Sequence, residues 1–401
     1  MIIKKYIFEK FVAKVRRPQT LYIYTSTETK MEKDLCLYFE KGIRECFREL
    51  NSGKYNDKGK ETKFIDEWLN DDNLLIYDSI DFLPFSEKNK ELINKRVYNT
   101  FSGFNSNIDY NYNIIDEKRD KVLKPFNDLG VEICEGSEEN WRYFKNFLAH
   151  MIQKPSERLP VAFIIKGAQG TGKSLLVDTI GELLGRKHYI TSSKPDDFFG
   201  TFAEGFLNKL LVNMNECEGK DTIDFEGRLK SFITESSITI NQKGIRPFQV
   251  NNYARLIITT NKPNPIKIDI TSKDRRYIVF QTTNKFIDIL KGETYFKIKN
   301  HFTSPIFLNY LYNELINTDI DNFNFTNRPI TESYKEMVKL YVPVEALHLE
   351  DFIIDYKEKY PSLYNTYQNH NGQDLFKDFL FYCKQNNFLS SGEMSFKKIL
   401  F

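Results

Sequence analysis

The chain has 401 residues, too many for one ordinary core, so two or three domains are expected. Hydrophobic content of 41% and aromatic content of 15% are ample for packed cores, while a formal net charge of +2 excludes a global basic field, so any nucleic-acid contact must come from local patches. Five scattered cysteines with no C-x-x-C pair argue against a disulfide framework or zinc knuckle, and the five histidines show no metal-ligand spacing. No apolar run approaches the ~20 residues of a membrane span, and the start, Met1-Ile-Ile-Lys, lacks a signal-peptide core. A soluble, intracellular protein without a membrane partner is the expectation.

In chain order, residues 1–60 read as a basic, largely helical N-terminal region. Lys4, Lys5, Lys10, Lys14, Arg16 and Arg17 face one acid, Glu9, and Ile3, Phe8, Phe11 and Val15 fall near helical spacing. This predicts an amphipathic helix with a solvated basic face; an arm that contacts nucleic acid is the other reading. Leu21–Tyr24 reads as a strand, Leu35–Leu50 as a helix and Asn51–Lys60 as a polar boundary loop. Residues 61–155 read as mixed and mainly helical. Phe64–Trp68 is one helical piece, and Ser137 is placed to N-cap another whose stripe is Trp141, Phe144, Phe147, Leu148 and Met151. Pro155 and Pro160 end that helix.

Residues 156–285 alternate strand and helix signals, the pattern of a mostly parallel sheet covered by helices on both faces. At their centre stands Gly167-Ala168-Gln169-Gly170-Thr171-Gly172-Lys173-Ser174, a full G-x-x-x-x-G-K-S/T phosphate-binding loop. The apolar run Val161–Ile165 precedes it, and a helical stretch from Leu175 to Leu184 follows, closed by Gly185. Glycines let backbone N–H groups approach phosphates, and a helix N-terminus adds a favourable dipole. Residues 167–175 are the candidate nucleotide contacts, with Lys173 at the β- and γ-phosphates and Ser174 on Mg²⁺; ATP and Mg²⁺ are the expected cofactors.

Three later stretches complete a candidate ATPase site. Leu210–Glu216 is an apolar strand ending in Asn215 and Glu216, where carboxylates would hold Mg²⁺ and orient the attacking water. Glu216 is the candidate for the second role, with Glu218 next in line, and Asn215 stands where an aspartate is more common. Arg255–Asn261 is another buried strand, whose Asn261 either senses the γ-phosphate or initiates a turn. Ser272–Phe280 carries Arg275 and Arg276 before a strand; one either reaches a neighbouring subunit's phosphate or pairs locally with Asp274. Between these stretches, Ser237–Val250 has a hairpin pattern around Gln242-Lys243-Gly244, with Arg246 nearby. Lys243 and Arg246 either line a DNA-tracking loop or simply face solvent. Residues 286–401 read as helices, including 304–316, 331–340 and 374–386, the last burying Leu375, Phe376, Phe379, Leu380 and Cys383, with Ser395 as the N-cap of one more.

This order of phosphate loop, Asn-Glu strand, lysine hairpin, Asn-ended strand and Asp-Arg-Arg strand resembles the superfamily 3 helicases. More closely, it is similar to the helicase part of poxvirus-type primase-helicases and their phage relatives. Phe64–Trp68, Tyr98–Phe104, the Trp141–His150 helix and Gln153-Lys-Pro155 resemble the segment before the ATPase in that group. The resemblance covers roughly residues 60–285, and 374–400 weakly by likeness to the start of a winged helix. It implies a P-loop AAA+ type ATPase core behind a collar-like domain at 61–155. It also implies a homo-oligomeric, usually hexameric ring moving 3′→5′ on single-stranded or forked DNA beside a primase or polymerase. Asn215 departs from the common aspartate, and residues 1–150 show no acidic cluster of the primase kind. The competing expectations are an AAA+ loader or protein-remodelling ATPase, which would not need Lys243, and a small-molecule kinase, which would leave Asn261, Arg275 and Arg276 without a task.

Overall fold

The computed structural model describes residues 2–17, 19–25, 35–105, 108–109, 118–194, 196–199, 206–216, 226–240, 248–266, 274–288, 290–341, 351–354, 358 and 372–385. The chain divides into two compact units: Met1–Pro265 with Arg276–Pro329, and Ile266–Arg275 with Ile330–Phe401.

The first unit opens with α1 (Ile2–Phe8), β1 (Val12–Arg17), β2 (Leu21–Thr25), β3 (Leu35–Tyr38) and α2 (Glu40–Cys46). A small hairpin, β4 (Asn51–Tyr55) with β5 (Glu61–Lys63), leads into α3 (Phe64–Leu69), then β6 (Ile76–Asp81) and β7 (Val97–Asn99). One sheet runs β3-β2-β1-β6-β7, antiparallel across β3, β2 and β1 and parallel onward. The expected largely helical N-terminal region is therefore corrected. Its apolar spacing fitted a helix, but Val12, Ala13 and Val15 are all buried on a central strand paired on both sides. Such pairing overrides a local helical period. Likewise the helix expected over 35–50 is a strand followed by the short α2, because Leu35–Tyr38 pairs with β2.

Several basic residues of this stretch are engaged locally. Lys5 binds Asp71 at 2.7 Å, Arg16 reaches Asp78 at 3.4 Å, and the Lys14 ammonium lies 5.9 Å from the Tyr22 ring centre. Phe8, Val12, Tyr22, Ile43, Phe64, Ile65, Trp68 and Leu74 form the core beneath.

A second core begins with α4 (Lys118–Ile133) and α5 (Glu138–Gln153). Ser137 caps α5 as its sequence suggests, accepting from the Asn140 N–H at 3.3 Å. Then come β8 (Ala162–Lys166), α6 (Lys173–Leu184), β9 (Tyr189–Ser192), α7 (Asp196–Phe199), β10 (Leu211–Asn215) and α8 (Glu226–Thr234). The antiparallel pair β11 (Ser237–Ile240) and β12 (Phe248–Asn251) follows, then β13 (Arg255–Thr260) and β14 (Tyr277–Gln281). The sheet order is β14-β8-β13-β10-β9, every pair parallel. In β8 and β13 every residue is buried, so side chains pointing to both faces are covered, as a parallel sheet requires. The expected mixed α/β fold with a parallel sheet is present.

Parallel pairing has a consequence for function. Register sets Asn215 beside Thr259, Thr260 beside Lys166, and Lys166 beside Gln281. All these strands therefore end on one edge, and the residues that follow them emerge together. Two further helices, α9 (Gly292–Phe302) and α10 (Pro305–Asn317), join the core formed with α4, α5 and α6.

In the second unit, α11 (Glu332–Tyr341) and α12 (Gly372–Gln385) match the expected helices. Phe379 and Cys383 of α12 are buried, and the Phe379 ring lies 5.6 Å from that of Phe352. Leu380 is half-buried. The side chains of Leu375 and Phe376, and Ser395, lie outside the described residues, so the winged-helix likeness falls mostly there.

Candidate functional site

The loop between β8 and α6 depends on its glycines. Gly167, Gly170 and Gly172 have φ of 155°, 83° and 89°, the last at the N-cap of α6. Side chains rarely adopt such angles. Space is also lacking: a Cβ on Gly167 would stand 1.9 Å from Thr282 Oγ1, and one on Gly172 would stand 2.6 Å from Leu129 Cδ1. Gly167→Ala should therefore destabilise the fold by roughly 1–3 kcal/mol, a loss that thermal unfolding would detect. The glycines thus let the loop pack closely on Thr282, Leu129 and Leu290, while a Cβ on Gly170 would meet only open space.

Lys173 begins α6 and is buried. Its ammonium donates to the carbonyls of Gly167 and Ala168, each at 2.8 Å, and to Asn261 Oδ1 at 2.9 Å. Burial lowers its pKa to about 8, opposed by the Glu216 charge. The cation is lost as pH rises through that value. Any affinity of this cavity for a triphosphate should then fall above pH 8, by at most about tenfold per pH unit. Titration of binding against pH checks this, with Lys173→Ala expected to lack the pH dependence.

Asn215 and Glu216 end β10 beside Thr259 of β13. Asn215 Oδ1 accepts from the Thr259 hydroxyl at 3.0 Å, and the Glu216 N–H donates to the Thr259 carbonyl at 2.7 Å. Glu216 has φ 55°, a left-handed conformation that costs a non-glycine residue on the order of 1 kcal/mol. The sheet edge thus imposes a strained backbone on the exposed carboxylate.

A cavity of about 250 Å³ joins these pieces, lined by residues of Gln169–Leu175 together with Asn215, Glu216 and Asn261. The loop, the Asn-Glu pair and the Asn-ended strand are thus brought together. No cluster of three or more His, Cys, Asp or Glu groups suited to a metal occurs among the described residues. Oxygen groups on the cavity lining include the Ser174 hydroxyl, the Asn215 and Asn261 amides and the Glu216 carboxylate. Hard oxygen donors of this kind are the type that Mg²⁺ takes beside waters and phosphates.

Not every candidate joins this cavity. Arg276 is half-buried, its carbonyl accepting from the Ala162 N–H at 2.7 Å, and it is not among the lining residues. Arg275 is exposed and belongs to the second unit. The strands flanking the lysine hairpin pair from Ser237↔Asn251 to Ile240↔Phe248, but Lys243, Arg246 and Glu218 lie outside the described residues. The sequence does not point to Leu290 and Tyr295, which complete the cavity lining from just before α9 and from its first turn. Nor does it point to Thr282, whose buried hydroxyl has no hydrogen-bond partner and lies against the first glycine. No motif marks these three; the obligatory glycine at 167 was the only hint of a close neighbour.

A family model described as a family of unknown function, DUF5906, matches residues 165–276, from the end of β8 to the start of β14. The DNA primase-polymerase of Nitratiruptor phage NrS-1 is 32% identical over 160 residues, taking in 39% of this chain and 22% of that protein. The chain thus spans about a fifth of the curated relative's length. An apo structure of the NrS-1 C-terminal region superposes with a TM-score of 0.65 at 20% identity, over 89% of this chain and 81% of that one. An A-form apo structure of that region gives 0.63 at 22% identity, over 88% and 79%. The chain therefore shares the fold of the NrS-1 C-terminal region. No helix among the described residues is long and apolar enough to cross a membrane.

Proposed function

We propose that this chain is the motor of a DNA-replication protein, an ATP-dependent helicase of superfamily 3 type with a P-loop AAA+ core. The observation that carries the reading is the convergence of Lys173, Ser174, Glu216 and Asn261 on one cavity at the C-terminal edge of a parallel sheet. The NrS-1 relative is named a primase-polymerase, which supports a role in replication beside a primase or polymerase.

In this reading the 167–175 backbone holds the phosphates and Lys173 neutralises charge developing on the transferring group. Ser174 and Asn215 serve the Mg²⁺ shell, the second through water. Glu216 orients the attacking water, and Asn261, already bonded to Lys173, relays the state of the γ-phosphate. Mg²⁺, when bound, supplies charge neutralisation across the β- and γ-phosphates. Arg275 or Arg276 completes a neighbour's site in a homo-oligomeric ring, for which a hexamer is expected. The β11–β12 hairpin carries Lys243 and Arg246 to single-stranded or forked DNA, and the motor works at an intracellular site of viral, phage or mobile-element replication.

The test is Lys243→Ala. Basal ATPase should persist while stimulation by single-stranded DNA and unwinding are lost. The log–log salt slope of DNA binding should drop by ~0.7 for each phosphate contact removed. Unchanged unwinding would remove the hairpin from the DNA path and favour a protein-remodelling ATPase.

A further inference from the structure

We propose that Tyr295 is the stacking platform for the base of a bound nucleoside triphosphate, with Leu175 and Leu290 as the apolar wall around it. This rests on the reading of the cavity as a nucleotide site and names how its non-phosphate end is recognised.

The cavity has two chemical characters. Lys173, Ser174, Asn215, Glu216 and Asn261 offer charge and hydrogen bonds, whereas Leu175, Leu290 and Tyr295 offer carbon surface. The apolar part adjoins the last loop glycine, because a Cβ on Gly172 would stand 2.9 Å from Leu290 Cδ1. A triphosphate in the loop continues into a ribose and a base, and this wall is the surface that suits a flat, weakly polar ring. Tyr295 is half-buried and packs on the main core. Its helix is anchored by fully buried Phe302, whose ring lies 4.9 Å from Phe307 and 5.5 Å from Phe126. The helix that carries the ring is therefore held by the core, which limits the backbone entropy lost on stacking.

The mode of recognition follows from size and chemistry. A cavity of about 250 Å³ is below the roughly 300–1,000 Å³ of pockets that enclose a drug-sized ligand. A base would lie against one wall with the rest open to water. Among the described residues, that wall of Leu175, Leu290 and Tyr295 carries one hydroxyl, on Tyr295, and no amide or carboxylate. Stacking tolerates any base, so ATP and GTP should bind with similar affinity.

The experiment measures equilibrium binding of ATP, GTP and inorganic tripolyphosphate, each with Mg²⁺, to the full chain and to Tyr295→Phe, Tyr295→Leu and Tyr295→Ala. Tyr295→Phe should match wild type. Tyr295→Leu, which keeps an apolar side chain at the wall, and Tyr295→Ala should both weaken ATP and GTP roughly tenfold, the scale of one lost base–aromatic stack. Tripolyphosphate affinity should not change. Equal losses for tripolyphosphate and ATP, unchanged ATP binding in Tyr295→Leu, or strong preference for one purine would overturn the proposal. If folded wild type binds neither ATP nor tripolyphosphate, the phosphate site itself is misread, a pattern distinct from failure of the base platform alone.

Discussion

Lys173→Ala should abolish ATP hydrolysis, with a fall in turnover of at least roughly a hundredfold, the scale of one lost transition-state donor. The lysine is the buried cation at the centre of the cavity, and it links the loop carbonyls to Asn261 across 2.9 Å. Alanine removes the charge that a triphosphate would meet and also breaks the link between loop and β13. Two readouts separate these effects. Affinity for ATP should fall, and Lys173→Arg should fail to restore turnover, because a longer planar guanidinium does not fit a site made for a compact ammonium. The fold should survive, since the substitution removes a desolvated cation rather than core packing, and an unchanged melting profile would check that. Full hydrolysis by Lys173→Ala would remove the nucleotide assignment.

Glu216→Gln should show the opposite split, with ATP still bound and turnover reduced by roughly 10²–10⁴, the range of general acid–base contributions. Glutamine has nearly the same shape, and the backbone bond from residue 216 to Thr259 does not involve the side chain. What is lost is the carboxylate charge that, in the proposed mechanism, orients water and draws its proton. A bound but uncleaved nucleotide is therefore the expected result, read by equilibrium binding alongside single-turnover hydrolysis. If Glu216→Gln turns over at the wild-type rate, the role passes to Glu218.

Much of the site was legible because its chemistry is local. The phosphate loop needs consecutive residues, and the flanking strand and helix are long and apolar. Asn215, Glu216 and Asn261 were legible because buried parallel strands read as unbroken apolar runs whose ends stand out. The N-terminal region was legible only in part: Leu21–Tyr24 lies in strand β2 and Phe64–Trp68 in helix α3 as their sequences suggest, but β1 and β3 were read as helix. Ile3, Phe8, Phe11 and Val15 mimic a helix, and only pairing with β2 and β6 shows that Val12–Arg17 is a strand. Tyr295 and Thr282 were hidden for a related reason. Each reaches the loop through tertiary packing, from more than a hundred residues away, and neither residue type announces a nucleotide.

In the proposed function, ATP turnover in this chain is coupled to movement on DNA. The most direct measurement follows strand separation of a forked duplex by the full chain with ATP and Mg²⁺, in parallel with phosphate release. The expected result is ATPase stimulated by single-stranded DNA, unwinding that requires hydrolysis, and loss of both in Glu216→Gln. Steady ATP hydrolysis that single-stranded DNA does not alter, with the fork left paired, would contradict it.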